Sequence, residues 1–126
     1  MRTKKEIESA IIEEINRFER DYMGRGPKCV QVHLLDDLLV IRLRGILVPA
    51  EENLVKSLPD DKGRDLLKQV RSNLIQSTRP VMEPMVEAIT GVEIETMHHS
   101  ICTKTGEEVI LFALARSPDV LEAKMG

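Results

Sequence analysis

Ile7, Ile11, Ile15, Phe18 and Tyr22 recur every three or four residues, setting an apolar stripe against Glu8, Glu13, Asn16, Glu19 and Arg20. This is the period of an amphipathic helix. Thr3 and Glu6 have the spacing of a capping box, in which hydroxyl and carboxylate satisfy free amides of the first turn. Gly24 supplies the left-handed residue that ends a helix at little steric cost. Gly26 precedes Pro27, which biases it toward extended backbone and a following strand. The period then changes to two. Over 29–35, Val30, Val32 and Leu34 face one way and Cys29, Gln31 and His33 the other. Asp36-Asp37 makes a tight turn, and 38–47 returns with Leu39, Ile41 and Leu43 inward and Arg42 and Arg44 outward.

A short helix is predicted from Pro49 to Leu54, with proline in its first turn and Glu51 and Glu52 favouring the N-terminal dipole. Residues 59–63 break it. Leu67, Val70, Leu74, Thr78, Val81, Met85 and Ile89 then keep one helical phase across Pro80 and Pro84. Interior proline removes a hydrogen bond and crowds the preceding turn, so a kink or break is expected near Arg79. Thr90-Gly91 ends this pattern, and 92–103 and 108–115 form a last hairpin about a turn at 104–107. The unbroken apolar run of the final strand predicts burial on both faces. The tail, 117–126, reads as a frayed helix. The fold class is therefore α+β: two layers, helices on one face of a four-stranded antiparallel sheet, in the order α-β-β-α(α)-β-β. A single domain is expected over 1–126, with its core at about 3–116.

Composition narrows the function more than the fold. A chain of 126 residues, 42% apolar and 31% charged, can bury one core without a disulfide or metal staple. No secretory signal precedes Cys29 and Cys102, so both are expected as buried free thiols in a cytoplasmic protein. The net charge of −3 argues against nucleic acid, whose binding is dominated by clustered Lys and Arg. With only Phe18, Tyr22 and Phe112, a stacking platform for single strands is also missing. No apolar run approaches the ~20 residues of a spanning helix. The chain is thus expected to be soluble, any membrane role being peripheral, at the inner face.

The candidate chemistry is basic. Gly24-Arg25-Gly26-Pro27-Lys28 either presents amides and two cations to an anion or simply caps a helix, where Arg25 and Lys28 would complement the dipole. Arg42 and Arg44, beside His33 on the neighbouring strand, form a cationic sheet face that serves as solvated surface, subunit contact or anion site, with Glu93 or Glu95 as ion-pair partners. Arg25, Lys28, Arg42 and Arg44 are the candidate ligand-binding residues. Neighbours on a strand point oppositely, so His98 and His99 do not converge on one metal, and their spacing to Cys102 matches no zinc pattern. Ser100 lies near both histidines without a nucleophile elbow or an orienting acid. No catalytic residue, metal or cofactor is assigned. Glu107-Glu108 is read with the turn residues.

Several segments together resemble the MpsC family: Phe18-Glu19 through Tyr22 to Lys28, Arg42 to Glu51, Gly63 to Arg71, Arg79-Pro80, Ile89 to Val92, and Thr103 to Glu107. The resemblance spans about residues 5–115, with Pro84 as its main departure. It implies an accessory of a sodium-translocating, membrane-potential-generating system, linked in some bacteria to inorganic-carbon uptake. It brings no catalytic residues. The expectation is a non-enzymatic accessory or regulatory protein, homodimeric because one-sided helix cover leaves a sheet face or edge to protect. Integral membrane transporter subunits are its expected partners. The alternative is a small-anion or nucleotide sensor.

Overall fold

The computed structural model describes residues 2–24 and 26–120, Met23 by its backbone alone. Helix α1 (Lys4–Met23) opens on the predicted capping box: Thr3 N donates to Glu6 Oε1 at 2.9 Å and Glu6 N to Thr3 Oγ1 at 3.1 Å. It closes at Gly24, φ 87°. Strands β1 (Cys29–Leu35) and β2 (Leu38–Arg44) form a hairpin, followed by α2 (Pro49–Ser57), α3 (Lys62–Thr90), β3 (Ile94–Cys102) and β4 (Glu107–Leu114). The sheet is antiparallel in the order β1-β2-β4-β3, so the second hairpin joins the first through β4. The α+β class and element order match the sequence reading.

Helices cover one face only, α1 lying over β1 and α3 over β3, with the two helices touching. Ile7, Ile11 and Ile15 pack toward Val32, Leu39, Ile41 and Ile110, all buried. Each such side chain is worth roughly 1.5–3 kcal/mol by its removal from water. On the opposite face Val40, Val109, Leu111 and Ala113 are half-buried, so β4 is not enclosed on both sides as its apolar run suggested. Strand β2 stops at Arg44 instead of running to 47, because Gly45 turns left-handed at φ 66°.

The largest corrections concern α3. It is continuous through Pro80 and Pro84, without the expected break near Arg79. Both prolines are exposed, so water can reach the carbonyls they leave unpaired. In the turn before Pro80, Ser77 Oγ donates to Leu74 O (2.8 Å) and Thr78 Oγ1 lies 2.9 and 3.0 Å from Leu74 O and Ile75 O. The buried face is also rotated from the predicted stripe. Leu67, Arg71, Ile75, Thr78, Met82, Val86 and Thr90 face inward, while Val70, Leu74 and Val81 are exposed. Residues 117–120 are not helical, and 121–126 lie outside the described residues.

Candidate functional site

At the end of the sheet where β2 stops, a cleft of about 350 Å³ opens between the β1 entry, α2, the first turn of α3 and the β3–β4 turn. Lys28, Lys56, Arg64 and Lys104 line it against one carboxylate, Glu52; Thr103, Thr105, Gly45, Gly106, Leu47 and Val55 complete the wall. Local chain geometry places Lys28 and Lys104. Lys28 N donates to Arg44 O at 2.9 Å, and the Lys28 stem crosses Gly45 where a Cβ would come within 2.6–2.7 Å of it. Glycine thus gives Lys28 its path to the cleft. The turn carrying Lys104 closes through Gly106 N to Cys102 O (2.8 Å) and docks through Ile46 N to Gly106 O (3.4 Å). Arg64 has an exposed pairing with Asp61 at 3.4 Å, the kind that contributes little. Four cations in one cleft concentrate positive potential there.

Behind the cleft lies a charged cluster inside the apolar layer. Arg71, on α3, is buried and grips Glu51 in a fork, Nη2 to Oε1 at 2.7 Å and Nε to Oε2 at 3.1 Å; Nη2 also reaches Ile46 O at 3.1 Å. Glu51 Oε1 accepts from Val48 N at 3.0 Å, so one ion pair joins the start of α2 to α3 and the end of the sheet. Glu108 is fully buried on the inward face of β4, its Oε2 3.0 Å from His99 Nε2. The approach lacks hydrogen-bond alignment, and His99 Nε2, both Glu108 oxygens and Arg71 Nη1 have no hydrogen-bond partner among the described residues. Glu19, on α1, is 2% exposed. Burial pushes its carboxyl up to about 8; the Glu108 and Glu51 charges add to the shift while Arg71 opposes it.

These positions divide the sequence-predicted site. Lys28 enters the cleft, but Arg42 and Arg44 stand on the outer sheet face, where Glu107 takes both at 2.8 and 3.8 Å. Glu107, not Glu93 or Glu95, is their partner because β4 is the strand beside β2. The Glu107 hydrogen bond holds the Arg42 guanidinium above its ordinary value and lowers the Glu107 carboxyl in turn. Arg25 lies outside the described residues. His99 points inward to Glu108, whereas His33 and His98 are exposed. Cys29 and Cys102 are free, but exposed instead of buried, since both occupy outward positions at strand ends. The Thr105 side chain and the amides of Thr105 and Lys104 hold the Cys102 thiol below its ordinary range.

Sequence reading missed Lys56, Arg64, Lys104 and Thr105 as one group and placed Glu19 and Glu108 on solvated surface. A polar residue in register with an apolar stripe was the available signal. Glu19 follows Phe18 on α1, and Glu108 precedes Ile110 and Phe112 at a spacing of two.

Comparison with known proteins gives a consistent picture. A family model described as "Na+-translocating membrane potential-generating system (MpsC)" matches residues 3–116. The chain is 35% identical over 113 residues to the uncharacterized protein YbcI of Bacillus subtilis (strain 168), covering 90% of this chain and 89% of that protein. No solved structure matches it significantly.

Proposed function

Because this chain belongs to the MpsC family, we propose that it serves as a non-enzymatic accessory or regulatory component of a bacterial sodium-translocating, membrane-potential-generating system, including one that supports inorganic-carbon uptake. No helix among the described residues is long and apolar enough to cross a membrane. In this reading its part in moving an ion is played through an integral membrane subunit, met from the cytoplasm at the inner face of the membrane. The observation that carries this reading is the outer side of α3. Leu66, Val70, Leu74, Ser77 and Val81 follow one another at helical spacing with no charge among them, and the four apolar ones are 38–45% exposed. A contiguous apolar stripe of this kind suits a protein contact better than bulk water.

Recovery from native membranes in mild detergent tests the proposal. The full chain is expected to bring down an integral subunit of a sodium-translocating complex, and the folded Leu74→Glu variant to lose it. Equal recovery by both proteins, or none by either, counts against docking through α3. A second reading, a small-anion or nucleotide sensor, is favoured by the cationic cleft, with Lys28 as the shared residue between the sequence-derived site and the folded one.

A further inference from the structure

We propose that the cleft between α2, α3 and the β3–β4 turn binds a phosphorylated small anion of two or more negative charges, a diphosphate or phosphate-ester group. Lys28, Lys56, Arg64 and Lys104 would hold it. This deepens the anion-sensing reading by naming its residues and ligand class.

The charge balance comes first. The whole chain has 18 Lys and Arg against 21 Asp and Glu, yet among the described residues lining this cleft four cations face one carboxylate, Glu52. The arginines at 42 and 71 are taken up by Glu107 and Glu51; among the described residues Arg64 has its exposed Asp61 contact. Lysines and an arginine around one volume form the donor set that phosphate oxygens accept from. Size and charge then select within the anions. A singly charged bicarbonate would leave most of about 350 Å³ and most of the positive charge unanswered, whereas a diphosphate meets several cations at once. The donors also come from four separate segments, fixed by the Lys28 passage over Gly45 and the Gly106 turn.

Isothermal titration of the full chain with pyrophosphate, ATP, inorganic phosphate and bicarbonate tests this, beside flotation with phosphatidylcholine vesicles with and without phosphatidic acid. Pyrophosphate or ATP is expected to bind saturably and to weaken with added salt. Lys104→Ala and Lys56→Ala should each lower affinity about tenfold, the scale of one charge-assisted contact. Lys68→Ala, an exposed lysine outside the cleft, should leave affinity unchanged. Binding to phosphatidic-acid vesicles alone would assign the same chemistry to a lipid headgroup, and binding to the soluble anions alone to a free metabolite. The site is overturned if no phosphate-bearing probe saturates, if bicarbonate or inorganic phosphate binds as tightly as pyrophosphate, or if Lys68→Ala weakens binding as much as Lys104→Ala. Binding without any change in recovery of the membrane subunit would leave the site standing and remove its sensing role.

Discussion

Glu19 is the residue whose environment departs furthest from its place in the sequence. On a helical wheel it continues the apolar stripe four residues after Ile15, and the fold closes over it with Glu108, Arg71 and Glu51 on the surrounding elements. Its carboxyl is raised from an ordinary 4.5 to about 8, which makes stability depend on pH with a definite sign. Below about 4.5 the group is protonated in both folded and unfolded chains. As pH rises toward 8 the unfolded chain releases its proton while the folded one retains it, so folding is progressively penalised. The full penalty above about 8 is on the order of 3–5 kcal/mol. Glu19→Gln keeps the shape and cannot ionise, so its denaturation free energy should exceed the parent's at pH 8 and lose most of the decline across that window. Urea titrations at several pH values decide it; an unchanged slope would assign the raised carboxyl no part in stability. The apolar neighbours of Glu19 were legible from periodicity. Its own place in their stripe was legible too, but its charged company was not, because Glu108 and Arg71 arrive from distant positions to share the interior.

At the scale of elements, α3 separates what a helical pattern can convey from what it cannot. The existence of the helix was readable from its apolar recurrence, and its end from Thr90-Gly91, where Gly91 takes φ 73° and its N–H meets Glu87 O at 2.8 Å. Its facing was not, because two apolar stripes run side by side. Val70, Leu74 and Val81 make one, and Leu67, Ile75, Met82 and Val86 make the other, with Arg71 interrupting the buried stripe. Tertiary packing chose the stripe with Arg71, whose fork to Glu51 fastens α2. Close approach of the two helices also rests on Gly63, where an added Cβ would run into the Leu54 carbonyl. Helix propensity alone says Gly63→Ala should stabilise by about 1 kcal/mol. The contact says the opposite, a loss of about 1–3 kcal/mol from overpacking against backbone. Thermal or chemical denaturation gives the sign directly, and a stabilised variant would mean that α2 does not sit where the structure has it.

For the whole molecule, the decisive asymmetry is that α1 and α3 cover one sheet face and leave the other open. The alternation of 29–35 and 38–44 made this legible for the first hairpin. The apolar run of β4 hid it for the second, because a central strand with a half-covered outer face reads like an enclosed one. The cleft was hidden for a related reason: its cations at 28, 56, 64 and 104 belong to no common motif until the chain folds. On the open face, Val40 and Leu111 pair across the strands, Val109 and Ala113 lie along β4, and Leu35 is 53% exposed nearby. Arg42, Arg44 and Glu107 border this patch with charges of both signs. A two-fold partner can present the same patch and the same paired charges in return, so a homodimer through the open sheet is the expected assembly. Sedimentation of the full chain should give a dimer, and Leu111→Lys a monomer with unchanged helical content, since that side chain stands on the outer face. A parent protein that stays monomeric at high concentration would leave the open sheet to another partner, while a Leu111→Lys dimer would move the contact to an edge strand or to α3.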